Sequence, residues 1–247
     1  MKIIGLMPAR NEGWCIGYTA RNLLTWCDEL IVLEHVSHHP ALDWLRVGRI
    51  SESEPEWNEA DFRQRLLVKG RELGGTHFAI VDADEILTAN LVPKIRDMAG
   101  ELAPAECLWL PWLCLWRSLD QYRCDDSPFG RARVPVVFRD DPSIEHKRGA
   151  DGYQLHSRPP FGAKVIDRLT AQDGGILHLQ HANWTRLVAK QEWYIRQEQR
   201  RWGKVLANYA GTMNEDGLKL APVPDGFWPT GRELIDLAAE PWQAKAE

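Results

Sequence analysis

Short apolar runs alternate with helical spacings through the first hundred residues of the chain. Ile3 to Met7 is a brief apolar run closed by Pro8, and Ile16, Ala20, Leu23 and Leu24 share one helical face between Glu12 and Trp26. Leu30 to Leu33 is a second run, rich in branched residues as buried parallel strands tend to be. Phe62, Leu66 and Leu73 place a helix over Asn58 to Leu73, which Gly74-Gly75 stops. His77 to Val81 reads as a third strand, followed at once by Asp82-Ala83-Asp84-Glu85. A helix over about Asn90 to Ala99 then groups Leu91, Ile95 and Met98.

Strand, helix, strand, helix, strand predicts an α/β fold with a mainly parallel central sheet flanked by helices. Ligands in such sheets bind beyond the carboxyl ends of the strands. Three polar clusters fall at those ends: Ala9-Arg10-Asn11-Glu12, Glu34-His35-Val36-Ser37 and Asp82-Ala83-Asp84-Glu85. They are expected to converge on one crevice.

The second half is irregular. Cys107 to Trp116 is a long apolar run interrupted by Pro111, and Asp120 to Pro160 reads as loops around one strand at Val134 to Arg139. Gly175 to Leu179 is a last strand, after which Asn183 opens a helix carrying Trp184, Leu187, Val188, Ile195 and Trp202. A short terminal helix is expected near Arg232 to Ala239. With no repeat, low-complexity tract or linker, the chain reads as a single domain over 1–247, residues 1–100 forming one half and 101–247 the other.

Composition narrows the chemistry. Apolar residues make up 44% and charged residues 26%, ordinary for a folded soluble chain, and a net charge of -5 does not suggest bulk electrostatic binding to nucleic acid. The five cysteines form no CxxC pair, which fits a reduced, cytoplasmic setting better than a disulfide framework. The apolar start is too short for a signal peptide or a membrane span, and no transmembrane segment is expected. Twelve tryptophans invite stacking on rings, although burial in the core explains any single one equally well.

Asp82 and Asp84 lie two residues apart just past a strand, so alternation sends both carboxylates to one side. Two such carboxylates repel unless a cation sits between them, which makes the pair a candidate divalent-metal site. Oxygen ligands suit Mg²⁺ or Mn²⁺, and a histidine ligand tilts the choice toward Mn²⁺. A solvated acidic turn is the plainer alternative.

Pro8-Ala9-Arg10-Asn11-Glu12 after a first strand, Cys27-Asp28-Glu29-Leu30-Ile31-Val32 leading into a second and Val81-Asp82-Ala83-Asp84-Glu85 after a third together resemble the family 2 glycosyltransferases, which have the GT-A fold. The resemblance covers roughly residues 2 to 100 and extends to Arg63 on the helix before the acidic strand. It implies that Pro8, Ala9, Arg10, Asn11 and Glu12 hold the nucleotide of a UDP- or GDP-type sugar donor. It also implies that Glu34 contacts the nucleoside beside Ser37, and that Asp82-Ala83-Asp84 meets the ribose and the metal, with Asp84 the main ligand. His35, His38 and His39 depart from the family's small and acidic residues at the second cluster. His181, after the last strand, resembles the late histidine that such enzymes bring back to the metal, with His178 as its neighbour. Lys190 and Arg186, one or two turns into the following helix, are placed to neutralise a diphosphate.

Sugar transfer by inversion further requires a carboxylate to take the acceptor's proton. Glu85, Asp125, Asp126, Glu145 and Asp151 are candidates, while His156-Ser157 stands where some family members carry a His-Glu pair. On the acceptor side, Trp112 and Trp116 with His156 are expected to face the acceptor, near Trp109. Arg131, Arg133, Arg139, Lys147, Arg148 and Arg158 make this region basic, which fits a phosphate-bearing acceptor such as a lipopolysaccharide core or modified nucleic acid and fits a surface patch with no role nearly as well. A glycan, a lipid-linked saccharide or a modified nucleobase is the expected acceptor. Two other readings stay open: a nucleotidyltransferase-like enzyme on a similar sheet, although Pro8 to Gly13 is not a glycine-rich phosphate loop, and an inactive sugar-binding module.

Overall fold

The computed structural model describes residues 1–54, 56–146 and 158–239. The first apolar run forms β1 (Ile3–Ala9), buried along its whole length, which is why it reads as a continuous run. Helix α1 (Ile16–Leu24) turns Ile16, Ala20 and Leu23 inward, and β2 (Glu29–His35) follows. An edge strand, β3 (Gly48–Glu52), is only partly buried and carries one large aliphatic residue, so no apolar pattern announces it. Helix α2 (Glu59–Glu72) is capped by Asn58, whose side chain accepts from the Asp61 amide; acidic residues in its first turn and basic ones in its last match the helix dipole. Gly74, at φ +75, ends it.

The expected third strand is shorter than its apolar run: β4 is His77–Ala79. A further strand, β5 (Glu85–Leu87), begins inside what reads as a turn, because Glu85 is fully buried. Helix α3 (Val92–Gly100) leads to β6 (Glu106–Cys114), which contains Pro111 without breaking. The strands β7 (Gln121–Arg123), β8 (Arg133–Arg139), β9 (Lys164–Asp167) and β10 (Ile176–His178) follow. Helix α4 (Trp184–Trp202), capped by the Asn183 side chain, is followed by α5 (Tyr209–Thr212) and β11 (Leu220–Pro222). The helix expected near Arg232 to Ala239 is only a 3₁₀ turn at Arg232–Leu234.

The nine-stranded sheet runs β3-β2-β1-β4-β8-β6-β10-β5, with β9 also paired to β6. Strands β3, β2, β1 and β4 are mutually parallel; β8 is antiparallel to both β4 and β6. This mixed α/β sheet flanked by helices is the class that the strand–helix alternation predicts, and it is compatible with a GT-A-type fold. Alternate residues of β1 divide between two cores: Ile3 and Met7 join α1 and α3 residues, while Ile4 and Leu6 join Phe62 and Leu66 of α2 and Trp193 of α4. Because the chain leaves β1 toward β2 on one side and later places β4 on the other, their following loops diverge and leave a crevice.

Pro111 survives in a strand because of its neighbours. The Trp112 amide donates to Ala132 on the β8 side, so the Pro111 nitrogen faces the opposite edge. There, β9 pairs with residues up to Trp109 and β10 only from Trp112 onward, so no ladder donor is missed. The gap is filled by close backbone approach instead. A Cβ at Gly175 would lie 2.2 Å from the Pro111 carbonyl oxygen. Gly175→Ala should therefore destabilise the fold by about 1–3 kcal/mol, read as a lower urea midpoint; a midpoint equal to the wild type would contradict this packing.

Candidate functional site

A cavity of about 540 Å³ opens at the crevice. The loop after β1 contributes Arg10 and Glu12, α2 contributes Glu59 and Arg63, and the acidic turn contributes Asp82, Ala83 and Asp84. Trp109 and Trp112 reach it from β6, Arg133 to Pro135 from β8, and His178 from β10. Helix α4 closes it with Lys190, Gln191, Trp193 and Tyr194.

One wall is built on Asp82. Arg63 Nη2 donates to Asp82 Oδ1 at 2.7 Å, and Arg158 Nη1 approaches Oδ2 at 3.3 Å. Arg63 also holds Glu59 one helical turn earlier, an i,i+4 pair on α2. Arg158 is locked in turn by Glu85 Oε1 at 2.5 Å and by the Ile80 carbonyl at 2.7 Å, and Glu85 Oε2 accepts from the Asp82 amide. Burial alone would raise the Asp82 pKa, but the two guanidinium groups win and hold it below the usual carboxylate range.

The second wall is built on Asp84. Lys190 Nζ bridges Glu12 Oε1 at 2.9 Å and Asp84 Oδ2 at 3.1 Å, while Glu12 Oε2 accepts from Trp14 Nε1. His178 Nε2 lies 3.7 Å from the same Asp84 oxygen. Burial opposes every one of these charges, yet the ammonium and the imidazole hold Asp84 far below its ordinary value. Reciprocally, burial pulls the His178 pKa down, but Asp84 overrides it and lifts it to about 10. His181 goes the other way, pushed to about 3 by burial and by the charge on His178.

The two histidines are clamped by tryptophans. Trp112 stacks on His178 with centroids 4.2 Å apart, and Trp116 on His181 at 5.3 Å. Neither His181 ring nitrogen makes a hydrogen bond of good geometry among the described residues, beyond a weak approach to the Thr212 backbone, although the residue is only 2% exposed.

The residues anticipated from sequence fall into three groups. Pro8, Arg10, Glu12, Arg63, Asp82, Ala83, Asp84, Lys190, Trp112 and His181 are brought together around the cavity. Arg10 is nevertheless tied up: Nη1 donates to His35 Nδ1 at 2.8 Å and its guanidinium lies 4.5 Å from the Trp193 ring centroid. Ala9 is packed in the core, and Asn11, at φ +55, offers its carbonyl to Arg186. Glu85 lies wholly buried under Arg158, and Trp116 behind His181. Among the other base candidates, Asp125 is paired with Arg123. Asp151 and His156, with Lys147 and Arg148, lie outside the described residues.

Glu34 and Ser37 lie away from the cavity lining. Glu34 Oε1 accepts from the backbone amide and Nδ1 of His39, and Oε2 accepts from Arg49 Nε at 2.5 Å. The histidines that depart from the family pattern thus hold this loop: His39 through Glu34, and His35 through Arg10 and the Glu54 carbonyl. Val36 between them takes φ +46, a strained conformation for a β-branched residue.

Sequence reasoning passed over Trp57, Glu59, Tyr194, Tyr209 and Phe129, all of which line the cavity. Two of these had a signal. Glu59 stands four residues before Arg63 and Tyr194 four after Lys190, so each shares a helical face with a residue already singled out.

No family model matches the chain, and no curated protein matches it. Among solved structures it is similar to a nucleotidyl transferase from Methanothermobacter thermautotroptrophicus, at 14% identity over 56% of this chain and 71% of that one, TM-score 0.36. It is also similar to a structure named as a glucose-1-phosphate thymidylyltransferase from Bacillus anthracis in complex with sucrose, at 9% identity over 85% and 99%, TM-score 0.44. A mycobacterial protein matches at 19% over 47% and 42%, TM-score 0.34. At such identities and TM-scores these likenesses carry no argument about reaction or substrate.

The Glu34 cluster gives a stability test with a defined pH sign. Burial raises the Glu34 pKa, but Arg49 and His39 outweigh it and leave it below the ordinary glutamate value of 4.5. A carboxylate depressed in the fold stabilises it above the unfolded pKa and loses that contribution as pH falls through the folded value. Glu34→Gln should therefore cost about 1–3 kcal/mol at pH 7, and urea titrations should show the gap narrowing below about pH 4.5. A gap independent of pH would refute the ionic role.

Proposed function

We propose that the protein is a glycosyltransferase that moves a sugar from a nucleotide-diphosphate donor to an acceptor hydroxyl. The observation that carries this reading is the meeting of Arg63, Arg158 and Lys190 with Asp82 and Asp84 in a cavity whose other faces are rich in aromatic rings. A departing diphosphate is stabilised by cations held in advance in a water-poor site, and of these three Arg63 is buried, Arg158 and Lys190 are largely shielded, and each is fixed by an ion pair. Two sets of rings support a donor side and an acceptor side: Trp57 and Trp193 near Arg10, and Trp109, Trp112 and Phe129 near β6 and β8. Aromatic faces of this kind stack on nucleobases and on sugars.

Among the described carboxylates of the cavity, Asp82 is the accessible one, 31% exposed against 6% for Asp84. It is the one that a ribose or acceptor hydroxyl can reach, while Glu85 orients Arg158 from beneath. The residues test unevenly against a divalent ion such as Mn²⁺ or Mg²⁺. Both Asp82 oxygens face guanidinium groups, so the pair does not frame a cation between its members. Unused ligand capacity lies instead at the poorly partnered nitrogens of His181, on the Asp84 side of the cavity. A bound ion there would add positive charge against the leaving diphosphate.

A panel of UDP-, GDP- and CMP-type sugar donors, with and without divalent metal, tests the reading by thermal shift and donor hydrolysis. One UDP- or GDP-sugar should stabilise the protein, by about 2.7 kcal/mol at a hundred times its dissociation constant. Asp84→Asn should abolish hydrolysis. Equal stabilisation by bare nucleoside triphosphates would sink the proposal in favour of a nucleotidyltransferase, and glycan binding without donor hydrolysis would indicate a binding module.

A further inference from the structure

Behind the cavity wall, Cys114 at the end of β6 meets His178 at the end of the neighbouring parallel strand β10, with which it is in register. Cys114 Sγ lies 4.0 Å from His178 Nδ1, and the sulfur and one ring nitrogen from each of His178 and His181 all lie within 4.8 Å of one another. All three residues are buried. A tetrahedral ion with bonds of about 2.0–2.3 Å to nitrogen and sulfur spaces its ligands roughly 3.3–3.6 Å apart, so a contraction of at most about 1.5 Å closes the set.

The polar atoms of this cluster are incompletely satisfied. Both His181 nitrogens are buried with no hydrogen bond of good geometry among the described residues, a weak approach to the Thr212 backbone apart. Such an orphan costs about 1–3 kcal/mol and calls for an unseen ligand. The Trp112 and Trp116 stacks fix the planes of the two imidazoles, leaving their edges as the only polar surface. His178 turns its Nε2 toward Asp84 and its Nδ1 toward the thiol. A carboxylate behind a histidine whose other nitrogen meets the ion is the usual outer support of a metal ligand.

We propose that Cys114, His178 and His181 form a Zn²⁺ site whose fourth position opens into the cavity. A thiolate with two imidazoles selects a softer ion than Mn²⁺ or Mg²⁺. His178 and His181 line the cavity while Cys114 stands behind them, so the vacant coordination position faces the space where a ligand binds. Three protein ligands and one open position are the pattern of a reactive rather than a purely structural zinc. Asp84 then supports His178 instead of binding the ion. This inference stands on the donor set alone and is independent of sugar transfer.

Co²⁺ titration of the metal-stripped protein tests it. The expected result is saturation at one Co²⁺ per chain, with intense tetrahedral absorption and a thiolate-to-cobalt charge-transfer band, both bleached by Zn²⁺. Cys114→Ser should lose the charge-transfer band, and Cys107→Ser, a buried thiol elsewhere on β6, should keep it. Asp84→Asn should weaken binding about 10–100-fold while the band remains. His181→Gln serves if Cys114→Ser does not fold by circular dichroism: it should keep the band at saturating Co²⁺ but bind more weakly. A weak octahedral spectrum, a band that survives in Cys114→Ser, unchanged affinity in His181→Gln, or displacement by Mn²⁺ as readily as by Zn²⁺ would each overturn the site.

Discussion

Carboxylates clustered just past β4, Asp84 and Glu85 buried and Asp82 partly so, set the terms for the rest of this structure. A carboxylate out of water is tolerated only when a cation meets it, and removing one partner of such a pair costs about 3–5 kcal/mol. Asp82, Asp84 and Glu85 sit within four residues, and Glu12 faces them from the loop after β1. Their partners come from far along the chain: Arg63 on α2, Arg158 beyond β8, His178 on β10 and Lys190 on α4. The ion pairs therefore do what the apolar cores cannot. They fix which face of α2 and α4 turns toward the crevice, and they tie the less regular second half to the sheet.

That dependence explains what the chain reveals when read alone. Local pattern made β1, α1, β2, α2 and α4 legible, because each buries a face with its own period and the longer helices carry their own caps at Asn58 and Asn183. The edge strand β3 and the short strands β5, β7 and β9 were not legible. Their place is decided by a neighbour, as when Glu85 enters a strand because Arg158 neutralises it. Within the site, Asp82, Asp84, Arg63 and Lys190 could be picked out from spacing and position. Their pairing could not, since charges 76 and 106 residues apart leave no periodic trace. Cys114 was equally hidden: nothing in an apolar run distinguishes a core thiol from a ligand until β10 brings His178 beside it.

The same balance bears on how an anionic ligand enters. Arg63, Arg158 and Lys190 are already ion-paired, with Arg63 Nη1 left as a buried donor without a hydrogen bond among the described residues, so apart from that donor a diphosphate must compete with Asp82, Asp84 and Glu12. Such competition favours a ligand that makes several contacts at once, and it leaves Asp82 less shielded when the exchange occurs. Rearrangement stays small, because Arg63 keeps Glu59 and Arg158 keeps Glu85 and two backbone carbonyls. A cation clamped on its far side can change partners on its near side without losing position, which is what electrostatic preorganisation requires.

An ion at the Cys114–His178–His181 corner would alter that exchange through Asp84. Without it, His178 is held as an imidazolium and shares Asp84 Oδ2 with Lys190, two cations on one oxygen. With it, His178 would serve as a neutral ligand through Nδ1, its Nε2–H facing Asp84, while the Cys114 thiolate would offset part of the ion's charge. Positive charge would then lie with the ion beside the cavity that His178 and His181 line, rather than on the imidazole that Asp84 screens. Asp84 would keep Lys190 and lose a competing cation, so the ammonium would be held more firmly in place. The site would gain a centre of positive charge facing the ligand at little electrostatic expense to the wall that supports it.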